Sequence, residues 1–159
     1  MNGAQSLLVL GAIVLFSIVT LNAHRTVLNA SKMTISAETT ITAAEIGETL
    51  ITEIKSKEFD ENVIGTEITD VNNFSAPPLG PAGDETLATY DDVDDYHNYS
   101  RVITAPRLGS FTATVAVDYV QENSPEIISS TKTHMKRIRV TVTNPLLQNP
   151  VILNYYACY

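Results

Sequence analysis

The sequence predicts an α+β protein, with a long N-terminal α-helix followed by a small antiparallel β-sheet. Three observations carry that reading. Met1 to His24 contain no Asp, Glu, Lys or Arg, and Leu7 to Leu21 are apolar on nearly every side of a helix. No proline occurs before Pro77, so no imino acid interrupts a helix in the first part of the chain. Beyond residue 100 the apolar pattern changes from a period near 3.6 to a period of 2, the mark of strands.

A helix apolar all round belongs in a large core or in a bilayer. About 20 residues at 1.5 Å each cross the roughly 30 Å hydrocarbon layer. The remainder of the 159 residues is polar and acidic, too small to wrap such a helix. Residues 1–25 are therefore expected to form a membrane anchor, a filament core, or each in turn. A secretory signal would have a basic stretch ahead of its apolar run. Here the first basic residue, Arg25, comes after it, as if a short basic leader had been removed.

Residues 26–58 continue the helix as an amphipathic half. Ile46, Leu50 and Ile54 recur every four residues and share a face. Glu53 and Lys57 are an i,i+4 pair in the favourable order, and Lys55 and Lys57 suit the negative end of the helix. Thr39, Thr40, Thr42 and Gly47 lower intrinsic helicity, so packing has to supply the difference. A helix from residue 3 to residue 57 is about 80 Å long. Bending or local unwinding is expected at Gly11, Thr20 and Asn22.

Residues 59–100 read as a loop and acidic turn region. The punctuation is Asn62, Gly65, Asn72, Asn73 and the run from Ala76 to Gly83. Residues 101–159 form the sheet domain. In 110–121, Phe111, Ala113, Val115, Val117 and Tyr119 alternate with polar neighbours. In 135–143, Ile138, Val140 and Val142 do the same, and 151–156 is a third strand. Glu122 to Pro125 reads as a turn. The apolar face of this sheet is expected to receive the amphipathic half of the helix.

A charge-free apolar start running into an amphipathic helix, an acidic turn and an antiparallel sheet resembles a type IV pilin or pseudopilin. The stretch Tyr90-Asp91-Asp92-Val93-Asp94-Asp95-Tyr96-His97 is similar to an acidic segment of bacterial pilin-like proteins. The resemblance implies a precursor held in the inner membrane, trimmed by a prepilin peptidase, and passed by an assembly machinery into an extracellular helical homopolymer. The filament core would be built from Gln5, Leu8, Gly11, Ala12, Val14, Leu15, Ile18 and Leu21, with small residues permitting close helix packing. Type IV pilins typically carry glutamate at the fifth mature position, where it neutralises a neighbour's terminal amine. Gln5 offers an amide without that charge. Two alternatives stay open: a pseudopilin of a type II secretion machine, and a single-pass membrane-anchored extracytoplasmic binding domain.

The acidic stretch has three readings. Asp91, Asp92, Asp94 and Asp95, with Asp84 and Glu85 nearby, are weak Ca²⁺ candidates, because Ca²⁺ takes six to eight oxygens but the spacing is not that of an EF-hand. Asp92 and Asp94 are also candidates for contacts between subunits with the basic residues Lys136, Arg137 and Arg139, beside Lys132. The third reading is a solvated acidic turn. Asn73 and Asn98 head glycosylation sequons on expected loops, and Asn29 heads one on the helix. His24, His97 and His134 lack metal-ligand spacing, and no nucleophile motif or phosphate loop occurs. No enzyme activity and no cofactor are expected. Net charge −8 argues against a nucleic-acid partner. Cys158, the one cysteine, excludes an intrachain disulfide and is expected to act as a small apolar side chain. Tyr155, Tyr156 and Tyr159 suit strand and interface positions.

Overall fold

The computed structural model describes residues 3–65, 68, 70–83 and 85–159. It contains one α-helix, α1 (Gly3–Lys55), and five strands: β1 (Ser100–Ala105), β2 (Gly109–Gln121), β3 (Ser124–Ile128), β4 (Met135–Thr143) and β5 (Val151–Cys158). The chain divides into two compact units, residues 1–38 and 39–159. The class is α+β, as the sequence indicates.

In the first unit α1 is helical without a break through Gly11, Thr20 and Asn22, where unwinding was expected. The hydroxyls of Ser17 and Thr20 donate to the carbonyls of Ile13 and Phe16, both at 2.8 Å. In an apolar helix this satisfies the hydroxyl without an outside partner. The side chains from Leu7 to Leu21 are exposed, with Leu8 at 74% and Val14 at 56%. Val27, Leu28 and Met33 are exposed too.

In the second unit, α1 from Thr39 onward lies on the sheet. Its buried residues are Thr39, Ala43, Gly47, Leu50, Ile51 and Ile54. Leu50 and Ile54 of the expected face are buried, Ile46 is only half-buried, and the small residues Ala43 and Gly47 are buried beside them. A Cβ on Gly47 would lie 2.5 Å from Leu153 Cδ1 and 3.6 Å from Val142 Cγ2. The glycine that lowers helicity is thus what lets the helix approach β4 and β5. Gly47→Ala is expected to be near neutral, because about 1 kcal/mol of helix propensity offsets a shift of the flexible Leu153. Gly47→Leu is expected to cost about 1–3 kcal/mol by overpacking. Thermal unfolding of both variants checks the pair; an unaffected Gly47→Leu would show that the approach is looser.

The strand order is β1-β2-β4-β5, all antiparallel, and β3 pairs with the end of β2. Phe111, Ala113, Val115, Val117 and Tyr119 of β2 and Ile138, Val140 and Val142 of β4 are buried, as their alternation requires. Two strands went unread in the sequence. β1 is short, and Arg101, Val102 and Thr104 leave it no clean apolar alternation. β3 is mostly exposed and begins within the Asn123-Ser124-Pro125 turn signal. The expected Glu53–Lys57 pair gives way to tertiary partners. Glu53 accepts from Tyr96 Oη at 3.1 Å and pairs with Arg101 at 3.3 Å, and Lys57 donates to the Tyr90 carbonyl.

Candidate functional site

Two features stand out: the exposed apolar half of α1, and a buried charge cluster beneath the acidic stretch. The cluster is assembled from three parts of the chain. A backbone clip brings the first two together, with the Glu58 N–H donating to the Asp91 carbonyl and the Val93 N–H to the Glu58 carbonyl, both at 3.0 Å. This sets Asp60 and Asp94 over the end of β4. There Lys136 pairs in register with Tyr119 of β2.

Lys136 is completely buried. Its Nζ lies 2.8 Å from Asp60 Oδ2, 2.7 Å from Asp94 Oδ1, 2.8 Å from Asp94 Oδ2 and 2.8 Å from the Phe59 carbonyl. The rings of Phe59 and Tyr119 stand 4.4 and 5.0 Å from it, measured to their centroids. Phe59 packs in turn on Phe74 and Tyr159. A buried ammonium needs this density of acceptors, because its desolvation otherwise costs several kcal/mol.

The two carboxylates are held differently. Asp60 accepts from Ser75 N–H and Oγ, each at 2.9 Å, from Asn62 N–H at 3.2 Å and from Tyr119 Oη at 3.1 Å, besides Lys136. Burial pushes its pKa up, but the hydrogen bond and charge of Lys136 and the Ser75 and Asn62 amides outweigh it and hold Asp60 below the ordinary carboxylate value. Among the described residues Asp94 has Lys136 alone, and no donor is in line with its Oδ1. Burial pushes Asp94 up to about 7 in spite of Lys136, with the charges of Asp92 and Asp60 adding to the effect. Asp92 is pushed to about 6 by burial and by Asp95.

The other acidic side chains serve the local backbone. Asp92 Oδ1 accepts from the N–H groups of Asp94 and Asp95 at 2.7 and 3.1 Å. Asp95 Oδ2 accepts from Asp91 and Asp92 at 3.0 and 3.3 Å. This is the way Asp closes tight turns.

Several expectations change accordingly. Asp92, Asp94 and Asp95 are buried, so the stretch is not a solvated turn. Asp94 meets Lys136 of the same chain, which removes both residues from a contact between subunits. Arg137 is also buried, with Nη2 on Asp118 Oδ2 at 3.3 Å and Nη1 on the Glu126 carbonyl at 3.2 Å. Arg139, half-buried, donates to Asn154 Oδ1 at 3.3 Å. Lys132 precedes β4 and donates to the Asn72 and Phe74 carbonyls. Of the four Ca²⁺ candidates, among the described residues only Asp91 joins a possible ligand group, with Glu61 and Glu85, one carboxylate oxygen from each lying within 4.8 Å of the others. Asp84 falls outside the described residues. Asn73, at the end of a one-turn 3-10 helix, and Asn98, in a turn, are exposed, and Cys158 is exposed at the end of β5. Tyr155 lies under Lys55 Nζ at 4.7 Å, and Tyr159 Oη accepts from the Ile68 N–H at 2.8 Å.

Lys136 carried a readable signal: it falls on the same alternation as Ile138, Val140 and Val142. Asp60 carried none, since its partners Ser75 and Lys136 lie 15 and 76 residues away.

In this ion-paired state the pH dependence follows from the shifts. Asp92 and Asp94 have folded values above the unfolded one, so the stability they contribute is present below about pH 4 and lost as the pH rises through about 6 and 7. Asp60, shifted down, contributes stability above about pH 4 that is lost on further acidification. The melting temperature should therefore fall between pH 5 and pH 8, which a pH series of thermal melts tests. A rise over that interval would contradict the burial of Asp94 as a carboxylate.

Comparison with protein-family models, with curated proteins and with solved structures finds no match to this chain.

Proposed function

We propose that this chain is a structural subunit of a type IV pilin-like extracellular filament, polymerising through the apolar half of α1. The observation that supports it most is the exposure of every apolar side chain from Leu7 to Leu21 on a helix long and apolar enough to cross a bilayer. Apolar surface on that scale demands lipid or other helices around it. The second unit has its own buried core and does not depend on this segment for its apolar packing.

On this reading the precursor is anchored in the inner membrane through residues 3–24. Assembly, by the peptidase and machinery the resemblance implies, exchanges lipid for neighbouring helices. Gln5, Leu8, Gly11, Ala12, Val14, Leu15, Ile18 and Leu21, all exposed, are the core positions. A periplasmic pseudopilus would use the same positions. The second reading, a single-pass anchor for a binding domain, draws on the same helix and differs only in the absence of polymerisation. Negative-stain microscopy of material sheared from cells separates them: fibres containing this chain support the filament. Its presence only as detergent-extracted monomer would favour the anchor.

A further inference from the structure

We propose that Lys136 and Asp94 join in an intramolecular isopeptide bond, with Asp60 as the proton-transfer group that assists its formation. The inference is independent of the filament reading. It starts from the placement of Nζ, 2.7 and 2.8 Å from the two oxygens of one carboxyl group. A nitrogen nearly equidistant from both oxygens lies roughly 3 Å from the carboxyl carbon, within reacting distance, and near the carboxyl plane, so the Asp94 carboxyl has only to turn about its own bond to present its face to the nitrogen. Among the described residues no donor other than Lys136 comes near Asp94 Oδ1, so no hydrogen bond to a third group has to break on that side.

The two carboxylates differ in the way the reaction requires. Asp60 is held anionic by Lys136 first and then by the Ser75 and Asn62 amides, with Tyr119 Oη also donating to it, and it lies 2.8 Å from Nζ, where it can accept a proton. Asp94 has no donor but Lys136 among the described residues, so it is the carboxyl able to become a neutral acid. Its upward shift agrees with that role. The Phe59 and Tyr119 rings and the complete burial of Lys136 keep bulk water from the pair.

The step balances without an oxidant or cofactor. A proton passes from Lys136 Nζ to Asp94, giving an amine and a carboxylic acid. The nitrogen lone pair attacks the Asp94 Cγ, and the carbonyl electron pair moves to its oxygen. Asp60 takes a proton from the nitrogen and returns it to the departing hydroxyl. The C–O bond breaks, the C–N amide bond forms, and one water leaves. The amide removes the buried charges of Lys136 and Asp94, while Asp60 keeps its Ser75, Asn62 and Tyr119 donors. Fixed proximity supplies an effective concentration on the order of 10⁵ M or more.

Denaturing intact-mass spectrometry of the full chain, purified in detergent and held at pH 7 and 37 °C, tests the bond. The expected mass is lower than that of the chain by one water, and Lys136→Arg should show no deficit. Protease digestion should yield a branched peptide joining the Asp94 and Lys136 segments, with no tryptic cleavage after Lys136. Asp60→Asn should slow accumulation of the linked form by about a hundredfold, the usual worth of a positioned proton acceptor. The linked form should also lose the Asp94 part of the pH dependence. A wild-type chain of full mass, cleaved normally after Lys136, overturns the proposal even if the variants fail to fold. So does a deficit traced to any other pair of residues.

Discussion

Lys136→Met should lower the melting temperature of the sheet unit by about 10 °C or more. The substitution keeps much of the side-chain volume and the apolar contacts with Phe59 and Tyr119. It leaves Asp60 and Asp94 facing each other in a buried site without their cation. Breaking a buried pair from one side typically costs about 3–5 kcal/mol, and for a domain of this size each kcal/mol is worth several degrees. The triple change Lys136→Met, Asp60→Asn and Asp94→Leu removes the charges together and should recover much of the loss. Near-UV circular dichroism melts in detergent compare the three proteins. A single variant as stable as wild type would mean that the cluster is open to water.

Val14→Asp should abolish fibres while leaving the sheet unit folded. Val14 lies in the middle of the apolar stretch, 56% exposed, with no basic residue closer in sequence than Arg25. In a bilayer centre an aspartate costs about 2.5–3.5 kcal/mol, and among packed helices it is a buried carboxylate without a partner. Residue 14 belongs to the first unit and the sheet to the second, so the melt of the second unit should not move. Microscopy of sheared material and a thermal melt of the same variant give both readings. Fibres at normal abundance would remove Val14 from any assembly core. A shifted melt would mean that the two units depend on each other.

The two predictions differ in how much of their basis could be read without a structure. Val14 needs only composition: a long run without charge is apolar on all sides whatever folds beside it. Lys136 was half legible. Its place among Ile138, Val140 and Val142 puts it on the inner face of β4, but a surface role is the ordinary expectation for lysine. What makes burial tolerable, Asp60 and Asp94, comes from a loop and a turn whose local sequence announces only polarity. The acidic stretch suggests Ca²⁺ for the same reason. Carboxylates that close their own turns, as Asp92 and Asp95 do, have the same composition as carboxylates that wait for a metal.

By itself, then, the sequence determined the helix-then-sheet order, the apolar segment, and the inward faces of β2 and β4. Each follows from a period or a composition that a short window contains. Only the tertiary structure decided which helical face is buried, because Gly47 is chosen by the space beside Leu153 and Val142 and not by hydrophobicity. It also decided the pairing of β3, and above all the cage around Lys136. Those contacts join residues 42 to 77 positions apart. A buried charge is stabilised by whatever the fold brings to it, and no local pattern records that.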